Sequence, residues 1–338
     1  MLRKIFFVFI VMALVTTVAF ASGGEEVWKP TKPITIIVPW SAGGATDQIT
    51  RICAGELEEK LGQKIVIVNQ PGASGSVGTK TVLDAPRDGY TWASGAIGDV
   101  GTYKILGFVD TRVENWHIYL NVANVMLISV HPDTPYKNFG DLMKAFKDKP
   151  GKITVSTAGM MSAGRVAMEG IKKVTGVEYE HVTYDGGHPA VVACVKGETE
   201  VTAQLACEQA DMIRAKKLRP LAVLATEPLE IADYEEKIEP ITKWIPEFSP
   251  TLSYFGIFIP KGVPEEVITT MNKLWREVIA DSEVIKNYAK DRGAIFVPYW
   301  GTEALVKSFP IVQFYSWLYY DMGKAEESPL TIGIPRLK

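Results

Sequence analysis

From Pro33 onward, short apolar runs alternate with amphipathic helical patterns, and this alternation constrains the fold more than any other feature. Ile34–Val38 is a continuous run of β-branched residues, the pattern of a strand buried on both faces. Thr46 or Asp47 can start a helix in which Ile49, Ile52, Cys53, Leu57 and Leu61 recur at helical spacing, with Gly62 as its stop. Lys64–Val68 predicts the next strand, and a Gly/Ser-rich turn leads into a helix ending near Leu83. Strand–helix–strand–helix order implies a parallel α/β sheet.

A second alternating unit follows. Val125–Val130, Ile153–Ser156, Tyr179–Val182, Val201–Leu205 and Leu221–Leu224 read as strands. Gly140–Lys147, Ser162–Lys173, Pro189–Lys196 and Glu208–Ala215 read as the helices between them. After a loop interrupted by Pro240, Pro246 and Pro250, Tyr254–Ile259 predicts a strand, and Pro264 opens another helix. Two such units, with the chain returning to the first, suggest two lobes joined by crossovers. The expected division is residues 22–127 plus 254–338 for one lobe and 128–253 for the other. Val125–Val130 and Tyr254–Ile259 are the candidate hinges. The aromatic tail, with Phe314, Tyr315, Trp317, Tyr319 and Tyr320, is expected to form a terminal helix packed on a lobe.

The first residues stand apart from this pattern. Arg3 and Lys4 precede an apolar run from Ile5 to Val15, followed by Ala19-Phe20-Ala21. A basic start, a short apolar core and an Ala-x-Ala site describe a secretory signal peptide over residues 1–21, cleaved near Ala21. The run is shorter than the ~20 residues a membrane span needs. The mature protein is therefore expected in the periplasm.

Composition limits the partners. With 36 Lys plus Arg against 39 Asp plus Glu, the chain lacks the basic excess that phosphate binding normally requires, so nucleic acid is not expected. Three cysteines in 338 residues cannot build a disulfide scaffold. Cys53 reads as core packing, and spacing does not decide whether Cys194 and Cys207 pair.

The chemistry lies in four glycine- and hydroxyl-rich strand-to-helix turns. They are Pro39-Trp40-Ser41-Ala42-Gly43-Gly44-Ala45-Thr46-Asp47, Asn69-Gln70-Pro71-Gly72-Ala73-Ser74-Gly75-Ser76, Ser156-Thr157-Ala158-Gly159-Met160-Met161-Ser162 and Tyr184-Asp185-Gly186-Gly187-His188-Pro189. Each should leave free backbone N–H groups at a helix start, which together with the helix dipole make an anion site that needs no lysine. Any one of them is simply a tight turn. Four, two in each lobe and all at strand carboxyl ends, point to a ligand between the lobes. None is a Walker A or GxGxxG loop, so neither a nucleotide nor any other cofactor is indicated. Gly72-Ala73-Ser74-Gly75-Ser76 is not a nucleophile elbow, and His117, His131, His181 and His188 show no metal spacing. The residues supply binding chemistry without a catalytic pair.

ITIIVPWSAGGATDQITR, NQPGASGSVG, RDGYTW, KPGKITVSTAG, HVTYDGGHPAVVACVKGE and LRPLAVLA occur in this order. From about Pro33 to about Pro298 they resemble the Bug/TctC family, the extracytoplasmic receptors of tripartite tricarboxylate transporters. The resemblance implies a two-lobed α/β Venus-flytrap fold of the class II periplasmic binding type, with parallel-dominated sheets flanked by helices. It also implies a monomer that closes on an organic acid and delivers it to a permease with one large and one small integral subunit. Carried over from the family, the proximal carboxylate is held by Trp40, Ser41, Ala42, Gly43 and Asp47, and by Gly72, Ala73 and Ser74. Thr157, Ala158 and Gly159, with Thr183, Tyr184, Asp185 and Gly186, would contribute from the second lobe.

This chain departs from the family pattern at several positions. Trp40 replaces Phe or Tyr, and Ala96-Ile97 replaces a hydroxyl-bearing Thr-Ser. Arg165 stands where His is frequent; facing the cleft it would clamp a second carboxylate, and otherwise it is a surface arginine. Gln204 stands where many members have Asp, which argues against an amino acid as ligand. The expectation is a receptor for a small di- or tricarboxylate. A periplasmic sensor, or an enzyme on the same bilobal fold, is the alternative.

Overall fold

The computed structural model describes residues 27–337. The signal-peptide segment and its cleavage site at Ala21 lie outside the described residues. The chain first forms β1 (Ile34–Val38), α1 (Ala45–Leu61), β2 (Ile65–Asn69), α2 (Ser76–Asp84), β3 (Thr91–Ala96), α3 (Ile97–Thr102) and β4 (Trp116–Asn124). It then builds β5 (Met126–Val130), α4 (Phe139–Asp148), β6 (Thr154–Ala158), α5 (Ala163–Thr175) and β7 (Glu180–Tyr184). α6 (Gly187–Val195), β8 (Val201–Leu205), α7 (Ala206–Arg214) and β9 (Arg219–Val223) complete that unit. The return carries β10 (Ser253–Pro260), α8 (Glu265–Glu277), α9 (Glu283–Arg292), β11 (Ala294–Phe296) and α10 (Gly301–Asp321).

Two sheets result. One has the order β11-β4-β10-β3-β1-β2 and the other β7-β6-β8-β5-β9. β4 and β5 are separated by Val125 alone yet lie in different sheets, so the chain changes sheet there and returns just before Ser253. The predicted parallel character holds for β2-β1-β3 and for β7-β6-β8. The remaining pairings are antiparallel, so the sheets are mixed rather than parallel-dominated. The cause is topological: β10, inserted between β3 and β4 as the chain returns, runs against both, and β5, inserted between β8 and β9, runs against those two.

Local signals explain the elements. Gly62, the predicted stop of α1, has φ 65° and its N–H closes on the Glu58 carbonyl. α1 begins earlier than predicted, with Gly44 at its N-cap. In the first core, Trp92 and Trp275 are fully buried. Their indole N–H groups reach the carbonyls of Gly89 and Leu120, both at 2.8 Å. Removing either ring should cost about 3–5 kcal/mol. The aromatic tail forms α10, with Tyr315, Trp317 and Tyr319 buried, and the Tyr319 hydroxyl donates to the Met161 carbonyl of the other lobe at 2.9 Å. Cys53, Cys194 and Cys207 are buried free thiols, so Cys194 and Cys207 are not joined. Among the described residues, no helix is long and apolar enough to cross a membrane.

Candidate functional site

The carboxyl ends of β1 and β3 in one lobe face those of β6 and β8 in the other, across a cavity. Four of the residues expected to bind ligand line it: Trp40, Ala96, Ala158 and Gln204. Thr46 in the first turn of α1, Ala163 in that of α5 and Gly187 in that of α6 also reach it. First-turn N–H groups have no acceptor within their own helix and sit at the positive end of its dipole. The cavity thus has anion-binding donors, and no Lys, Arg or His among its lining residues.

Other predicted residues form the rim where the lobes meet. The Ser41 N–H and hydroxyl both donate to the Asp185 carbonyl, at 3.2 and 2.8 Å. Gly186 packs so closely on Ser41 that a Cβ there would lie 2.9 Å from the Ser41 Cβ. Gly43, with φ 82°, abuts the His188 ring; Ala42 belongs to the same turn. Opposite, the Gly159 N–H donates to the Tyr184 carbonyl at 2.8 Å, and a Cβ on Gly159 would lie 2.8 Å from the Ser74 hydroxyl. Gly72, Ala73, Ser74 and Gly75 all have positive φ. For Ala73 (44°) and Ser74 (54°) this left-handed backbone carries strain. Thr183 is exposed, with its hydroxyl 3.8 Å from the Met160 sulfur.

Asp47, Thr157 and Arg165, also predicted, line neither the cavity nor these contacts between the lobes. Asp47 accepts from the Gly43 N–H at 2.9 Å and pairs with Arg51 at 2.8 Å, so it braces the first turn. Burial pushes its carboxyl up, but the bonds from Arg51, Gly43 and Asn69 outweigh that and hold it below its ordinary value. Thr157 is fully buried and shares a 2.5 Å hydrogen bond with His181 Nε2. Burial, then the charge of Arg165, pushes His181 down to about 4, so it stays neutral. Arg165 pairs with Glu169 at 2.6 Å and lies 5.5 Å from the Tyr179 ring centre; its guanidinium is engaged away from the cavity.

The sequence reading missed two acids. Asp99 in the first turn of α3 and Glu208 in that of α7 both line the cavity. Asp99 is 6% exposed and accepts from Trp40 Nε1 at 3.3 Å. Glu208 Oε1 accepts the Ala45 N–H at 2.8 Å across the cleft. Burial pushes each carboxyl up to about 7. A signal existed: both follow directly on the carboxyl end of a strand, where α/β ligands sit.

Residues 49–294 match the tripartite tricarboxylate transporter family receptor, TctC. A UPF0065 protein of Bordetella pertussis is 30% identical over 271 residues, spanning 78% of this chain and 82% of that protein. The periplasmic binding protein BugD superposes with a TM-score of 0.78 at 23% identity, over 88% of this chain and all of its own. A Rhodopseudomonas palustris protein with adipate gives 0.75 at 24% identity, covering 87% and 98% of the two chains. MatC of the same organism, with bound malate, gives 0.75 at 23%, covering 86% and 98%. These neighbours share the bilobal fold. The family consists of solute-binding proteins and not enzymes, in keeping with a cleft that offers binding groups. The chain belongs to the TctC family of solute-binding receptors.

Proposed function

We propose that the protein is a periplasmic receptor that captures a small organic carboxylate by closure of its two lobes. It then delivers the solute to a membrane permease of one large and one small integral subunit. The observation that carries this reading is the cavity between the sheets, onto which the amino ends of α1, α5 and α6 open. Their amides can take a carboxylate without a basic side chain. Di- and tricarboxylates are the ligands the family resemblance favours. Adipate and malate, bound in two proteins of the same fold, are dicarboxylates and support that preference. The basic start and Ala-x-Ala site support export to the periplasm.

A thermal-shift screen of the mature protein across aliphatic and aromatic carboxylates, amines and sugars tests the ligand class. A ligand bound only by the native state raises the melting temperature. At least one carboxylate should raise it in a saturable way. Shifts confined to amines or sugars would overturn the reading. Delivery is tested by deleting the gene and following uptake of the labelled solute; uptake unchanged in the deletion strain would refute it.

A further inference from the structure

The cleft contains two carboxyl groups and no cation to balance them. Asp99 receives one hydrogen bond, from Trp40. Glu208 is pinned by the Ala45 N–H through Oε1, while its Oε2 is shut off from solvent and has no partner. The pinning is tight, because a Cβ on Gly187 would lie 2.0 Å from Oε1. The basic side chains nearby are engaged elsewhere: Arg292 with Asp211 at 3.0 Å, Arg51 with Asp47, and Arg165 with Glu169. Trp40 and Phe255 add aromatic surface to the same cavity.

At the same time the cleft keeps a donor free. Gln204, 3% exposed, lines the cavity, and its Nε2 has no partner. Together with the first-turn amides it suits an anion. A buried carboxyl without a cation to balance it is costly, and a ligand ammonium would relieve that cost by charge-assisted hydrogen bonds and by contact with the Trp40 ring. A carboxylate lacking an amine would instead meet two acids in a poorly screened site.

We infer that the solute is a small carboxylate that also carries an ammonium group, an amino acid or a related amino-carboxylate, and that Asp99 and Glu208 set this preference. The inference rests on the carboxylate reading above and narrows it. The ligand carboxylate lies toward Gln204 and the helix amides, and the ammonium toward Glu208 Oε2 and Asp99. Gln204 in place of the family's frequent Asp argued against an amino acid from sequence. Two acids from α3 and α7 supply that charge from other positions.

Calorimetry on the mature protein with matched pairs tests this: aspartate against succinate, glutamate against glutarate, and 4-aminobutyrate against butyrate. In at least one pair the amino member should bind ten-fold tighter or more, and its N-acetyl derivative should lose that advantage. In Glu208→Gln and Asp99→Asn, both isosteric and checked by their melting curves, the amino preference should fall about ten-fold. If either variant fails to fold, the N-acetyl comparison on the unaltered protein still decides. Equal or tighter binding of the amine-free acids, or a preference unchanged in both variants, overturns this inference and leaves the carboxylate reading standing. If no acid of either kind binds, both fail.

Discussion

Glu208 of one lobe accepts the Ala45 N–H of the other at 2.8 Å, so a carboxylate of the protein caps helix α1 across the ligand cleft. The amino end of α1 therefore already has one anion in place, and under the proposed function a ligand carboxylate is expected to use the amides beyond Ala45, those of α5 and α6, and Gln204.

Gly187 makes that contact possible. Its missing Cβ is the space in which the Glu208 carboxylate sits. Gly187→Ala should push Glu208 off Ala45 and destabilise the protein by about 1–3 kcal/mol, the usual range for an overpacked site. Chemical denaturation with a measured midpoint checks it. A midpoint unchanged from the natural protein would show that the cleft gives way freely.

Arg165 and Glu169 form a nearly buried pair, with side-chain exposures of 15% and 9%. Arg165→Ala leaves Glu169 with only the Tyr179 hydroxyl, and should lower stability by about 3 kcal/mol. Ligand affinity should change less than about two-fold, because the guanidinium does not line the cavity. A large, selective loss of dicarboxylate binding would return Arg165 to the site.

Tyr319 ties α10 to the turn before α5 through the Met161 carbonyl. Tyr319→Phe removes that bond and leaves the carbonyl unpaired, which costs about 1 kcal/mol or somewhat more. Because the bond joins the two lobes, we expect ligand affinity to fall roughly five-fold on that figure. A melting point that drops with no change in affinity would confine the bond to stability.

Ligand-free stability should depend on pH through Asp99 and Glu208. Burial raises both to about 7, above their ordinary values of 3.8 and 4.5. Between about pH 4 and 7 these two groups bind more protons in the folded protein than in the unfolded chain, so their contribution to stability falls as pH rises through that window, while His181, held down at about 4, offsets part of the fall below about pH 6.5. The tyrosines around Asp99 (Tyr103, Tyr315 and Tyr319) remain neutral there, since burial holds each well above its ordinary value. So do Cys207 and Tyr288, near Glu208, for the same reason. For Asp99 the effect is on the order of 4 kcal/mol. Denaturation midpoints should show this fall and a shallower one in Asp99→Asn; a flat profile would contradict it.

Much of the architecture is visible in single residues of the sequence. The unbroken β-branched run Ile34–Val38 is a strand covered on both faces, and Val201–Leu205 is buried along its whole length although it carries Thr202 and Gln204. β4 was missed because His117, Asn121 and Asn124 interrupt its apolar pattern; Asn121 and Asn124 are buried all the same. In the site, glycine turns are legible because positive φ at positions such as Gly43 and Gly72 calls for glycine. Asp99 and Glu208 are not, since an acid at a helix start is ordinary on any surface and only the packing reveals that these two are enclosed. The Arg165–Glu169 pair was readable from its i,i+4 spacing alone.

Under the proposed function, the cleft recognises a carboxylate through helix amides. Calorimetric titration of the mature protein with its best-binding acid and with the corresponding primary amide tests it most directly. The acid should bind one-to-one, and the amide roughly 100-fold more weakly, a difference of about 2.7 kcal/mol. Equal binding of the two would show that the helix amides do not recognise the carboxylate.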